Sequence, residues 1–446
     1  MKNLKNSRQV LKVFAINFAL ILLVLEGVPL LFYLITEGRL IYSRDRTQNE
    51  AREVLQQAGI RTREDGEERE AIYERFQPYF GYVLKPGAFG ENQFGLKVNN
   101  YGFFTLYDYP FQKANDNQFI IGIFGGSVAV DVANNEVVNK GATTTLIQQL
   151  KSVPELANKE FIILNFAHGG YKQPQQLLIL NYFLSIGQEF DLILNIDGFN
   201  EVALPPFNNA AAIPISMPSF QHVQPLTALA NTSLPVIMAI ADITKTKEKL
   251  LAQVEQLENC NLASCYALSS YQVDRLLKQY KEQISELEEL QLNLKKNDNS
   301  LENSLISMPN NKEVLGDAIA FDQMVDLWAT SSQMIHQVLS ARNIPYFQVI
   351  QPNQYHPTGR TFTAEEKNLF VNTPYLEGVQ QGYPRLLERV ETLQNSGINV
   401  INAVTVFDEE KESVYRDNCC HYNPKGQEIF TEYIGQSVGE KLKSSQ

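Results

Sequence analysis

The sequence predicts an α/β fold in which a parallel five-stranded sheet carries helices on both faces. Three observations lead there. Short apolar runs at 118–124, 160–165 and 191–196 read as strands buried on both faces, the usual state in a parallel sheet. Helical stretches alternate with strands as far as the C-terminus, giving five βα units. The strands end in small or polar residues, first among them Gly125-Gly126-Ser127. Ligands and reacting groups in open α/β sheets collect at that edge.

A chain of 446 residues exceeds one ordinary domain, so extensions are expected around the sheet. Its apolar content of 44% is ample for a core. The formal charge of −12 argues against a nucleic-acid partner, since phosphate binding needs a basic face. Cys260, Cys265, Cys419 and Cys420 do not form a paired Cys-x-x-Cys metal pattern. Cys260 and Cys265 flank a short loop between helical stretches, where they form either a disulfide, which needs an oxidising compartment, or two reduced thiols.

Residues 1–12 carry Lys2, Lys5, Arg8 and Lys12 and no acid, and are read as a cytoplasmic tail. The apolar stretch that follows is long enough to span a bilayer, so 13–36 is expected to be an uncleaved transmembrane anchor. Glu26 within it is either functional or a helix-pairing or snorkelling residue. This arrangement puts the main domain outside the cytoplasm, in the cell envelope or periplasm. Residues 37–115 are expected to be a stalk and lead-in: a charged, solvated helical part including Arg61 to Glu70, then short strands and turns around Pro78–Gly87 and Val98–Phe103.

The α/β domain is expected in two parts, 116–204 and 316–446. Its first strand is 118–124, followed by a helix near Thr143–Ser152. A strand at Glu160–Asn165, a helix at Gln173–Gly187 and a strand at Asp191–Ile196 complete the first part. The second part has a helix near Phe321–Ala341, a strand at Pro345–Ile350, a helix near Pro384–Asn395, a strand at Ile398–Asn402 and a last helix opening at Pro424. Between the two parts, 205–315 is an insertion with helical stretches at about 235–259 and 268–296. In the second stretch Val273, Leu277, Tyr280, Ile284, Leu287 and Leu294 keep coiled-coil spacing, matched by Leu250, Val254 and Leu257 in the first. An antiparallel hairpin follows from this, either a lid or partner-binding arm or a passive insertion.

The second strand ends Asn165-Phe166-Ala167-His168-Gly169-Gly170-Tyr171 and the third Asp197-Gly198-Phe199-Asn200-Glu201. Asp417-Asn418-Cys419-Cys420-His421 falls between the fifth strand and the last helix, at the same edge. The sheet thus gathers a hydroxyl, a glycine amide, a carboxamide and an imidazole with a carboxylate nearby. Acyl transfer needs such a set: a serine activated by a histidine, an acid that orients the histidine, and donors for the oxyanion. His168 is the one further histidine expected to border the pocket, either contacting substrate or stabilising its loop. His222, His336 and His356 are read as structural. Cys420 is read as a buried thiol rather than a nucleophile.

In these four blocks the sequence resembles the SGNH (GDSL-like) hydrolase superfamily, in its membrane-anchored bacterial form. The resemblance implies a flavodoxin-like sheet. Gly125-Gly126-Ser127-Val128-Ala129 matches the first block and makes Ser127 the nucleophile and an oxyanion donor. Gly169-Gly170-Tyr171 makes Gly170 an oxyanion amide, Gly198-Phe199-Asn200-Glu201 makes Asn200 the side-chain donor, and Asp417 to His421 supplies the orienting acid Asp417 and the base His421. Three departures stand out. The usual Asp before the nucleophile is Gly126, the usual Asp after the third-block Asn is Glu201, and three residues rather than two separate Asp417 from His421, with Asp408 the fallback orienter. The lead-in motifs Gly81-Tyr82-Val83-Leu84-Lys85-Pro86 and Asn100-Tyr101-Gly102-Phe103 also look like membrane-anchored members.

The expected function is a serine esterase or O-acyltransferase acting on an acyl, above all acetyl, ester of an envelope glycan or lipid. It needs no metal and no cofactor. The alternative is a catalytically inactive binding or assembly protein of the envelope that keeps the same sheet.

Overall fold

The computed structural model describes residues 12–21, 23–37, 44–58, 60, 73–138, 146–227, 234–296, 313–370 and 373–444. The chain divides into two compact units, Met1–Ala71 with Ala228–Ser307, and Ile72–Thr227 with Met308–Gln446. The tail before Lys12, the charged run Arg61–Glu70 and the expected helix start at Thr143 lie outside the described residues.

The larger unit holds the sheet. Its strands are β1 (Gln118–Gly125), β2 (Glu160–Asn165), β3 (Leu192–Asp197), β4 (Tyr346–Ile350) and β5 (Asn399–Asn402). They are all parallel, in the order β2-β1-β3-β4-β5. This is the flavodoxin-like order, and its switch point lies between β1 and β3, where a crevice opens at the carboxyl ends. Every residue of β3 and β4 is buried, which accounts for unbroken apolar runs in place of alternation. Register aligns the strand ends: Gly125 pairs with Ile196, Ile123 with Asn165 and Asp197 with Ile350. The segments that follow β1, β2 and β3 therefore leave the sheet at one edge.

The helices that flank the sheet are α1 (Ser127–Val138), α2 (Gln175–Ser185), α3 (Phe199–Ala203), α4 (Asp317–Ser340), α5 (Leu376–Asn395) and α6 (Pro424–Ser444). On α1 the buried residues Val128, Ala129, Val132, Ala133 and Glu136 repeat at helical spacing and face the sheet. The sequence reading contains no helix at α1 or α3; the other spans agree with expectation to within a few residues except at α5, which begins two turns before Pro384 and keeps that proline inside it. Gly378-Val379-Gln380-Gln381-Gly382 reads as a break by composition. Here Gly382 instead lets α5 close on α3, since a Cβ at 382 would lie 2.3 Å from Val202 Cβ. The lead-in forms two small antiparallel pairs, Glu74–Gln77 with Gly81–Leu84 and Lys97–Val98 with Phe104–Thr105. Its Phe80, Phe103 and Tyr109 pack against Phe166 and Phe183 of the core.

Residues 205–227, read from the sequence as the start of the insertion, belong to the unit that holds the sheet. Asn208 anchors them by donating to the carbonyls of Met217 and Pro218 and accepting from the Phe220 amide.

The smaller unit is a hairpin of Leu234–Glu258 and Ala263–Lys296 closed by the Cys260–Cys265 disulfide. Leu250, Val254, Leu257, Val273, Leu277 and Tyr280 are buried between its helices. Burying a residue of this size contributes roughly 1.5–3 kcal/mol. The helix Arg44–Gln57 departs from the expected solvated stalk. It buries Ala51 and Val54 in the same cluster, and Glu50 accepts a hydrogen bond from Tyr266. Three apolar side chains on a charged helix were too few to signal a buried face. The helical stretch Lys12–Ile35 is long and apolar enough to cross a membrane. Within it Glu26 accepts the Ala263 amide at 2.7 Å and the Ser264 hydroxyl. Its carboxylate thus satisfies free N–H groups at the start of the second hairpin helix.

Candidate active site

Ser127 is the first residue of α1, directly past β1. The first amides of a helix have no partner within it, and the helix dipole favours negative charge there. Ser127 Oγ lies 2.7 Å from His421 Nε2, and His421 Nδ1 lies 2.5 Å from Asp417 Oδ2. Three residues 294 positions apart at the extremes are so brought into one relay. The segment Asp417–His421 is a tight turn that the acid itself organises. Asp417 Oδ1 accepts from the amides of Cys419, Cys420 and His421 at 2.9, 3.2 and 3.3 Å. The extra residue in the Asp-to-His spacing is absorbed by this turn. Burial works to raise the Asp417 pKa, but the hydrogen bond and charge of His421, with the turn amides, bring it down to about 2. The fallback acid Asp408 is engaged elsewhere, accepting from the Gly359 amide.

Asn200 lies at the start of α3, with its carboxamide against Gly126. A Cβ on residue 126 would fall 2.1 Å from Asn200 Nδ2 and 3.5 Å from the Tyr171 carbonyl oxygen. Nδ2 donates to that carbonyl at 2.8 Å, leaving its second hydrogen for another acceptor. Glycine at 126 is what admits the carboxamide beside the Ser127 amide. Glu201 sets the turn that presents Asn200 by accepting the Gly198 amide at 2.8 Å and the Gln173 amide at 3.3 Å. Burial raises the pKa of Glu201 and, with the charge of Glu201 added, that of Asp197 beside it.

Gly170 adopts φ +75°, the left-handed region, on the loop that follows β2. The loop is held from two sides. Tyr82 of the lead-in donates to the Gly169 carbonyl at 3.0 Å, and Tyr171 donates to the Tyr82 carbonyl at 2.5 Å. Lys172 is buried and donates through Nζ to the carbonyls of Ile215 and Met217 at 2.5 and 2.6 Å. Burial outweighs the pull of Glu201 and lowers its pKa to about 7.

Five residues assigned from the sequence therefore occupy one edge of the sheet: Ser127, His421 and Asp417 in direct hydrogen-bond contact, Asn200 beside Gly126, and Gly170 next to the Tyr171 carbonyl that Asn200 holds. His168 is buried in its loop, with Nδ1 against the Gly169 carbonyl, and burial lowers its pKa. The sequence reading missed His222. It stacks on Tyr82 with ring centroids 4.9 Å apart and places Nδ1 2.8 Å from Glu74 Oε1. It also borders Gly170, where a Cβ would come within 2.3 Å of His222 Nε2. Neither its neighbours nor its spacing in the sequence signalled this position. Cys420 is buried, its thiol contacts Ser127 and lies 3.3 Å from the Cys419 thiol, and burial pushes its pKa up, away from thiolate chemistry. Cys419, Cys420 and His421 hold their donor atoms within 4.8 Å of one another. Both imidazole nitrogens already face Ser127 and Asp417, so the imidazole is not a spare ligand.

No protein-family model matches the chain, and no curated protein sequence matches it. Among solved structures it is similar to GDSL-like and other lipases. A lipase from a goat rumen metagenome aligns over 72% of this chain and 97% of its own, at 13% identity and a TM-score of 0.31. A GDSL-like lipase from Bacteroides thetaiotaomicron aligns over 74% of this chain and 92% of its own, at 8% identity and a TM-score of 0.29.

Proposed function

We propose that the chain is a membrane-anchored serine esterase or O-acyltransferase of the SGNH type, with its catalytic unit outside the cytoplasm. Its substrate is an acyl, above all acetyl, ester of an envelope glycan or lipid. The observation that carries this reading is the unbroken relay from Ser127 Oγ through His421 to Asp417, at 2.7 and 2.5 Å. In the first half-reaction His421 Nε2 takes the Ser127 proton as Oγ attacks the ester carbonyl. Asp417 holds the ring and favours the imidazolium that forms. The amides of Ser127 and Gly170 and the Asn200 carboxamide receive the oxyanion. His421 then gives its proton to the departing alcohol, leaving an acyl group on Ser127. In the second half-reaction the same histidine activates water or an acceptor hydroxyl, which takes the acyl group. Every step uses side chains and amides of this chain.

The apolar stretch Lys12–Ile35 supports the anchor, and the basic residues before it support a cytoplasmic N-terminus. The test is Ser127→Ala. Hydrolysis of an aryl acetate by the purified protein should fall by at least ~10³ in kcat with the fold retained. Unchanged turnover would sink the mechanism.

A further inference from the structure

We propose that Tyr82 and His168 are positioning residues for acyl transfer: both grip the Gly169 carbonyl, and so aim the N–H of the same peptide unit, that of Gly170, at the oxyanion. The proposal deepens the acyl-transfer reading and rests on it. Tyr82 Oη donates to the Gly169 carbonyl at 3.0 Å, and His168 Nδ1 lies 3.0 Å from the same oxygen. A carbonyl oxygen only accepts, so Nδ1 carries the proton and donates it.

A peptide unit is planar, and in the trans form its carbonyl and its N–H point to opposite sides. The Gly169–Gly170 peptide is trans. Two donors on the Gly169 oxygen therefore fix the plane, and the Gly170 N–H faces away from them. Among the described residues no backbone carbonyl takes up that N–H. The loop borders the turn that carries the nucleophile. The His168 amide donates to the Gly125 carbonyl at 3.3 Å, and the Tyr171 carbonyl oxygen lies 3.5 Å from where a Cβ on Gly126 would stand. Glycine on both sides of the bond imposes little steric preference, so the plane turns readily unless side chains hold it.

The donors are themselves held. Tyr82 is fully buried and caged by three rings: His222 stacks on it with centroids 4.9 Å apart, and His168 and Tyr171 meet it edge-on at 5.3 and 5.2 Å. The His222 ring is fixed in turn by Glu74, whose Oε1 lies 2.8 Å from Nδ1. His222 Nε2 stands 2.3 Å from the place a Cβ on residue 170 would take, so this ring also closes one side of Gly170. Tyr82 and Glu74 both come from the small antiparallel pair of the lead-in. The lead-in is thereby part of the catalytic apparatus and not a spacer.

The experiment uses the full-length protein in detergent, with p-nitrophenyl acetate as substrate and thermal melting to confirm folding. Tyr82→Phe and His168→Ala each remove one donor, and His168→Asn keeps a donor near the Nδ1 position. Together Tyr82→Phe and His168→Ala should lower kcat by about 10²–10³, the cost of one lost oxyanion donor, with KM within about threefold of wild type. Each alone should lose part of that, and His168→Asn should recover most of what His168→Ala loses. The chain has two Gly-Gly pairs, 125–126 and 169–170. Glycine labelled with ¹³C at the carbonyl and with ¹⁵N therefore gives two carbonyl-correlated amide signals by NMR, and Gly126→Ala tells them apart. The Gly170 signal should shift in Tyr82→Phe and in His168→Ala while that of Gly126 stays, a reading that needs no turnover. A Gly170 signal that stays put, a double variant with wild-type kcat, or a loss confined to KM overturns the proposal. Wild-type turnover that is absent, or that survives Ser127→Ala, removes the acyl-transfer reading instead, and the proposal falls with it.

Discussion

Replacing Gly126 with alanine tests the oxyanion geometry through a residue that has no side chain of its own. The added Cβ would lie 2.1 Å from Asn200 Nδ2 and 3.1 Å from its Cγ. Carbon–nitrogen contacts settle near ~3.5 Å, so the carboxamide must retreat by more than about 1 Å. Retreat breaks its 2.8 Å bond to the Tyr171 carbonyl and withdraws its free hydrogen from the space beside Ser127. Removing one oxyanion donor costs about 10²–10³ in kcat, or roughly 3–4 kcal/mol of transition-state stabilisation. Gly126→Ala should therefore lose that much on an aryl acetate, and Asn200→Ala should lose a similar amount. The double variant should lie within about threefold of Asn200→Ala alone, because both changes remove one interaction. Steady-state kinetics on the four proteins, with melting curves to confirm folding, measure this cycle. Wild-type activity in Gly126→Ala, or losses that multiply in the double variant, would refute the placement of Asn200 in the oxyanion site.

Other outcomes follow from the same geometry. Asp417→Asn keeps an oxygen for the turn amides but removes the charge behind His421, so kcat should drop by ~10³–10⁴ with KM little changed; a loss below tenfold would show that Asp417 does not orient the base. Lys172 is neutral above about pH 7 in the folded protein and above ~10.4 when unfolded, so across that window the unfolded chain holds the extra proton and stability rises with pH. Wild type should thus gain up to ~1.4 kcal/mol per pH unit relative to Lys172→Met between pH 7 and 9 in urea unfolding; parallel pH profiles would contradict this. Cys260 and Cys265 are 5 positions apart, so their bridge closes a short loop worth about 2 kcal/mol by loop entropy. Cys260→Ser should accordingly weaken hydrogen-exchange protection at the start of the second hairpin helix, and unchanged protection would refute it.

The sheet was legible because its strands are buried on both faces, which leaves apolar runs such as Phe119–Phe124 that no surface element imitates. The relay was legible because its residues fall at successive strand ends, and parallel topology sends all of those ends to one edge. The departures from the SGNH pattern needed coordinates. Gly126 in place of Asp makes sense only once Asn200 Nδ2 is found where a Cβ would stand. The three-residue gap before His421 makes sense only once Asp417 is seen to accept the amides of its own turn. His222 and Tyr82 were not legible, because their link to the Gly170 loop joins segments 140 positions apart in the chain through a stacking contact. The burial of Ala51 and Val54 was hidden by the charges that surround them on their helix.

The central claim is that Ser127 is a nucleophile activated by His421, and covalent labelling by a fluorophosphonate probe tests it most directly. The probe reacts with a serine oxygen only when its proton is drawn off by a neighbouring base. Peptide mapping of the labelled wild-type protein should place a single adduct on Ser127, and the adduct should be absent from Ser127→Ala and strongly reduced in His421→Ala. A folded wild-type protein that takes no label, or takes it at another residue, would contradict the account.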